Sequence, residues 1–511
     1  MKLILCLVLS LFCGISFSQN DVKKNKKSKN ANSTGWVYND PENGGFEKIK
    51  FQEQEVPDWM VFIEGGTFEL RKIPESIQKT AEDTLSLDFS KFRKKAGSSV
   101  SVSSFYLSDH EVTNKEYRDF VNWVKIRYAM DILADNYPEK RLKNGQYNET
   151  IPIDWSDPLL QFTTDFLTFG YTQDVKQLDT TLNKYVKVKG IIFDVPVYPD
   201  TTCWQRDYKT LLTTSGENMA SYFSDEKYND YPVVGVSIDQ AKAYCVWLSD
   251  RYNESILLRE KILKNKSYYF TVQEFLNDTN NLKYLSDGIL APNFRLLTEC
   301  EWEHAACHQN LNEEQKSEKF FPWESSNYKN KKGKFLANFG KITDQNGLEV
   351  KKMDEDGYLF TSPVKSFDKN QHNLYDMTGN VAEWVLDNVY FTTFYSDKEY
   401  LNYQNVPHEM AFRNAYYRLK ENYHLRIDTT KQEGKDLINE FIVEKIAEQQ
   451  LNNLYPSAHV VKGGSWADAP VYMIPGMSSF YDGELSSSRI GFRVGMDRIG
   501  SPINNRKRRK K

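Results

Sequence analysis

The sequence predicts an α+β domain with much irregular structure. Three observations carry the prediction: capping boxes open helices at three places, short apolar runs break at glycine turns, and two long stretches lack a regular hydrophobic period. With 511 residues, 40% hydrophobic and 27% charged, the chain suits one large or two ordinary domains. A net charge of −4 offers no footprint for nucleic acid. The aromatic content of 14%, with 31 Tyr and 30 Phe, points to a packed body with surface for partners.

Residues 1–18 read as an export signal. Met1-Lys2 supplies a positive start, Leu3 to Phe12 an apolar run, and Ser16-Phe17-Ser18 the small residues before a cut after Ser18. A competing reading makes Cys13 a lipidation site, although bulky Phe12 precedes it where the processing peptidase needs a small side chain. No later run approaches the roughly 18 apolar residues of a membrane span. The mature chain is therefore expected to be exported without a membrane span. Within residues 19–57, Asn20 to Gly35 is rich in Lys, Asn and Ser and reads as a flexible tether.

The main domain is expected over residues 58–498. Val61-Phe62-Ile63 runs into Gly65-Gly66 as a strand and tight turn, and Ser104 to Leu107 is a second strand. Thr113 with Glu116, Ser237 with Gln240 and Thr298 with Glu301 are capping boxes, in which each side chain satisfies a free backbone N–H at a helix start. Behind them, Tyr117, Phe120, Val121 and Val124, then Ala241, Tyr244, Cys245 and Leu248, fall on one buried face of their helices. The third helix carries Trp302, Ala305 and Ala306.

Two insertions, about 130–228 and 391–458, read as ordered additions that build an interaction surface, or more plainly as padding of the core. In the first, prolines at 196 and 199 predict an extended path from Val195 to Trp204. In the second, a helix is expected from Asp436 to Leu451. Residues 499–511 form a basic tail ending Arg506 to Lys511, a solvated run or a contact for anionic lipid heads or an acidic partner.

Candidate chemistry is sparse. Cys203, Cys245, Cys300 and Cys307 lack close CxxC spacing; buried thiols are expected, with a disulfide through Cys203 or Cys245 the alternative. His304 and His308 lie one turn apart, a spacing that can hold zinc, but without a third ligand a solvated helix face is expected. Asp376 and Glu383 flank Gly379, so two hard carboxylates and the carbonyls between them could converge on calcium. The plainer reading is that both carboxylates brace the turn.

Seven sequence blocks stand in a telling order: Met60 to Phe68, Glu111 to Asn114, Tyr231 to Ser237, Phe294 to Glu303, Asp376 to Trp384, Val461 to Trp466 and Ser488 to Val494. Together they resemble the formylglycine-generating (sulfatase-modifying factor) enzyme superfamily, which implies a C-type-lectin-like α+β fold. In catalytic members two cysteines follow the Gly-Gly-Ser motif, bind copper and oxidise a substrate cysteine. Here those positions hold Asp468 and Met473, neither of which can cycle between thiol and disulfide. The resemblance also implies structural calcium as the cofactor. One site takes the side chains of Asp376 and Glu383 with the carbonyls of Gly379 and Val381; a second takes the side chains of Asn338 and Asp356 with the carbonyls of Phe339 and Tyr358.

A narrower resemblance rests on Ile153 to Pro158, Tyr198 to Trp204 with Asp230 to Val236, and Thr34-Gly35-Trp36. These are similar to the gliding-motility lipoproteins GldK (PorK) and GldJ of the Bacteroidetes. The resemblance implies a noncatalytic component of the type IX secretion and gliding apparatus, located in the periplasm or at the outer membrane. The implied partners are ring proteins or further copies of the chain, with the membrane reached through a partner or a lipidated Cys13. A sulfatase-modifying oxidase with relocated chemistry is the alternative, and ligand binding at the former active-site surface a third reading.

Overall fold

The computed structural model describes residues 54–70, 99–143, 145–179, 184–286, 288–307, 321–323, 327–343, 349–388, 430–432, 435–436, 439 and 458–499. All of these lie in one unit, Glu53–Lys511. The export signal, the tether and the basic tail from residue 500 lie outside the described residues, as does the second insertion apart from a few positions.

Sixteen strands are described. They are β1 (Met60–Ile63), β2 (Gly66–Glu69), β3 (Ser99–Val102), β4 (Phe105–Ser108), β5 (Leu142–Lys143), β6 (Gln146–Tyr147), β7 (Thr168–Asp179), β8 (Lys184–Pro196), β9 (Phe294–Arg295), β10 (Ile342–Thr343), β11 (Glu349–Lys351), β12 (Ala382–Asn388), β13 (Ala458–Lys462), β14 (Ser479–Asp482), β15 (Ile490–Gly491) and β16 (Gly495–Asp497). The four helices that frame the site are α1 (Asn114–Asn136), α2 (Cys203–Ser215), α3 (Ile238–Arg259) and α4 (Glu299–Ala306).

Two four-stranded sheets organise the unit. The first runs β1-β4-β16-β9, antiparallel throughout, with Met60 opposite Ser108 and Gly495 opposite both Leu107 and Arg295. The second runs β14-β13-β12-β15, with β12 and β15 parallel. The remaining strands pair as two-stranded ribbons, of which the β7–β8 hairpin is by far the longest.

Each expected capping box is present: Thr113, Ser237 and Thr298 accept from the N3 backbone while Glu116, Gln240 and Glu301 accept from the cap. The apolar stripe behind each cap determines what its helix covers. Tyr117 of α1 stacks on Tyr244 of α3 at 5.6 Å with 16° between the rings, and Phe492 packs edge-on to both. Buried aromatic area of this kind dominates core energetics.

Two expectations change, and the expected free thiols are found. The extended path does not reach Trp204: strand β8 ends at Pro196, Asp200 accepts from the Thr202 N–H at 2.9 Å, and α2 starts at Cys203. Proline restricts itself and the residue before it, so its influence stops before the Asp200 turn. His304 does not face solvent; it is buried, its Nε2 lies 2.8 Å from the Glu64 carbonyl and its ring packs on Phe68. His308 lies outside the described residues. No disulfide joins any of the four described cysteines, and Cys203, Cys245 and Cys307 are buried.

Candidate functional site

The segment Asp376 to Trp384 forms a turn that enters β12, and its backbone is unusual before any side chain is considered. Asp376, Gly379 and Asn380 have φ of 52°, 77° and 57°. At Gly379 a Cβ would meet the Asn338 carbonyl oxygen at 2.2 Å, so only glycine fits. Asn380 ties four loops together. Its N–H donates to the Asn338 carbonyl, its Nδ2 to Glu111, its Oδ1 accepts from the Ser362 N–H, and its carbonyl accepts from the Trp466 N–H, each at 2.8 Å.

Beneath the turn lie three buried carboxylates and one guanidinium. Glu383 accepts from Arg493 Nε at 2.8 Å on both oxygens, from Nη2 at 2.6 Å, and from the Trp302 indole N–H at 2.8 Å. Both members of the pair are 1% exposed. Arg493 also donates to the carbonyls of Ser108, Tyr375 and Asp376. Glu111 accepts from Asn380 and, at 3.2 Å, from the Val381 N–H; burial, with Asp376 and Glu383 nearby, pushes its carboxyl well above the usual range. Burial likewise pushes Asp376 up to about 6, against the Lys365 N–H that donates to it at 2.7 Å.

This geometry tests the first expected calcium site. Asp376, Gly379 and Val381 do surround one turn, but the Glu383 carboxylate is turned onto Arg493 and Trp302. A carboxylate with both oxygens filled by charged and neutral donors leaves little for a metal. As placed, Glu383 does not fit the role of a calcium ligand, and the cation at this turn is Arg493.

The second expected site also has an internal cation. Lys351, at the end of β11, places Nζ 2.7 Å from the Phe339 carbonyl and 2.9 Å from Asp356 Oδ2. Asp356 further accepts from the N–H groups of Phe339 at 3.1 Å and Tyr358 at 3.2 Å. Burial raises the Asp356 carboxyl, and Lys351 opposes that shift. Asn338 Nδ2 donates to the Phe360 carbonyl at 2.8 Å, while its Oδ1 is buried without a hydrogen-bond partner. Two of the four expected ligands are therefore engaged by an ammonium, and the set does not fit calcium as placed. Among the described residues no group of three or more His, Cys, Asp or Glu side chains converges on a metal position.

The Gly-Gly-Ser-Trp segment lies across the same turn. Gly463 and Gly464 have φ of 93° and 66°; a Cβ on Gly463 would press on the Trp302 ring at 3.2 Å. Trp466 stacks on Trp204 at 5.7 Å and donates to the Ser488 carbonyl at 3.0 Å. Asp468 accepts from the Ser465 N–H at 2.9 Å and hydroxyl at 2.6 Å, and pairs with Arg489 at 3.0 Å. Met473 is fully buried with Phe321, Phe335, Phe339 and Phe367. Both positions thus serve the fold. Met473 is closed off from solvent, while Asp468 is partly exposed.

Sequence reasoning missed Glu111, Asn380, Arg493 and Lys351 as site residues. The first three stand inside the quoted blocks and were legible as motif members, though not as a charge cluster. Lys351 carried no signal, because its partners are set by the loop's closure.

Compared with known proteins, the chain matches the family described as the sulfatase-modifying factor enzyme 1-like domain over residues 45–498. It is 24% identical over 308 residues to the formylglycine-generating enzyme of Bos taurus, covering 60% of this chain and 54% of that protein. To the formylglycine-generating enzyme of Thermomonospora curvata it is 37% identical over 93 residues, 18% of this chain and 27% of that one. The chain spans about half the length of the mammalian relatives it matches. Among solved structures it is similar to PvdO from Pseudomonas aeruginosa, at 15% identity and a TM-score of 0.32, over 86% of this chain and 94% of that one. It is also similar to CarF, at 14% identity and a TM-score of 0.34, over 88% and 99%.

Proposed function

The chain belongs to the sulfatase-modifying factor enzyme 1-like family, and from that premise we propose that it is a noncatalytic assembly component of the type IX secretion and gliding apparatus, exported to the periplasm or the outer membrane. The observation that carries the noncatalytic half is the fate of residues 468 and 473. Asp468 braces the Ser465 turn and Met473 fills an apolar cluster, so the segment is held without a thiol. Among the described residues, Cys203, Cys245 and Cys300 are poor substitutes. Burial pushes the Cys300 thiol up to about 12 and those of Cys203 and Cys245 up as well, which suppresses the thiolate that copper binding and oxidation need.

The assembly half rests on sequence blocks in the first insertion and on what that insertion exposes. Of the nine exposed large apolar side chains among the described residues, Tyr137, Leu142, Trp155, Leu159 and Phe166 all come from it. This concentration favours the insertion as the partner-facing surface. No helix among the described residues is long and apolar enough to cross a membrane; attachment through a partner is part of the proposal.

Three experiments test the reading. The purified protein, incubated with copper and a cysteine-containing sulfatase peptide, is expected to leave the cysteine unchanged; aldehyde formation refutes the noncatalytic assignment. Crosslinking in periplasm-bearing cells is expected to join the chain to ring components, and Trp155→Ser with Phe166→Ser to abolish the crosslink while the melting temperature holds. Wild-type secretion and spreading after gene deletion would refute the assembly role.

A further inference from the structure

The described segments 338–343 and 349–358 close on each other through one buried charge. Lys351 is 2% exposed, and its Nζ lies 2.7 Å from the Phe339 carbonyl, 2.9 Å from Asp356 Oδ2 and 3.0 Å from the Lys352 carbonyl. An ammonium carries three protons and no acceptor, so these three oxygens saturate it. The rings of Phe339 and Phe335 lie 4.5 Å and 5.3 Å from Nζ and add cation–π attraction. The charge also balances: the Asp356 side chain is fully buried, and one carboxylate meets one ammonium.

A calcium ion using the same ligands needs the Phe339 carbonyl and the Asp356 carboxylate, the two groups that Lys351 holds most closely. Ion and ammonium would then share ligands at a few ångströms, where like charges repel strongly away from water. A divalent ion facing a single carboxylate also lacks the anionic ligands that give calcium its affinity. We propose that Lys351 is the resident cation of this loop, a covalently supplied replacement for a bound metal, and that the loop therefore keeps its structure at any calcium concentration.

Hydrogen exchange read by mass spectrometry on the full mature chain tests this locally. In the wild type, peptides covering residues 336–343 and 351–360 are expected to exchange at the same rate in excess EDTA and in millimolar calcium. Lys351→Met, which keeps the side-chain length and removes the charge, is expected to speed exchange in these peptides by about tenfold or more, and Asp356→Asn to do the same. Calcium-dependent protection of these peptides in the wild type overturns the proposal, as does unchanged protection in a folded Lys351→Met variant. If that variant does not fold, the wild-type comparison decides alone.

Discussion

Gly379 and Glu383 stand four residues apart and fail for different reasons when changed. At Gly379 the obstacle is backbone, since a Cβ would press into the Asn338 carbonyl at 2.2 Å with φ at 77°. Gly379→Ala is expected to cost about 2–4 kcal/mol in urea unfolding, well above the effect of an ordinary surface glycine; a loss below about 1 kcal/mol would mean that the two loops separate freely. At Glu383 the obstacle is charge. Glu383→Ala strands the buried Arg493 guanidinium and is expected to cost about 3–5 kcal/mol, of which the double variant with Arg493→Met recovers part, because an apolar replacement of both partners leaves no orphan charge. Double-mutant unfolding curves that simply add would sink that account.

The helix starts are the elements most legible in the sequence, because a capping box is decided within four residues. Thr298→Ala removes one acceptor at the start of α4 and is expected to cost about 1 kcal/mol. Glu301→Ala should cost more, since that carboxylate also takes Arg295 Nη1 and Nη2 at 2.8 Å and 2.7 Å. Thermal unfolding of the two variants side by side checks the order; equal losses would reduce Glu301 to its capping role. The β7–β8 hairpin escaped the sequence because its residues, from Thr168 to Asp179 and Lys184 to Pro196, do not alternate cleanly and its stability comes from long cross-strand pairing. The same applies to His304. Its local helical spacing with His308 suggested solvent, whereas its burial is set by Glu64 and Phe68, more than two hundred positions away. In the site, motif residues were legible as types, but the cation that each carboxylate meets was not: Arg493 and Lys351 reach their partners only when distant loops close.

The whole molecule carries an unusual acid balance. Burial raises Asp250 to about 6, Asp376 to about 6 and Asp387 to about 7. An aspartate in the unfolded chain titrates near about 4. Between these values the folded protein keeps protons that the unfolded chain releases, so stability from these groups is lost as pH rises through about 4 to 7. Glu116, Asp200 and Glu301 act in the opposite sense, being held low despite burial by His110, by Thr202 and by Arg295 respectively, and their contribution is lost only on further acidification. The urea midpoint is therefore expected to be higher near about pH 5 than near about pH 8, and Asp387→Asn to flatten the difference. A midpoint that climbs steadily over that range would contradict the assignment. One feature of the sheets sets the timing of all this. In the first sheet β16 is wedged between β4 and β9, so residues 495–497 separate strands made much earlier in the chain. Until that last strand arrives, β4 and β9 have no common neighbour to join them. The sheet is a lock whose bolt follows its other strands in the chain: it closes only once residues 495–497 are in place, and a chain cut before Gly495 leaves β4 and β9 each with an open edge ready to pair with other molecules.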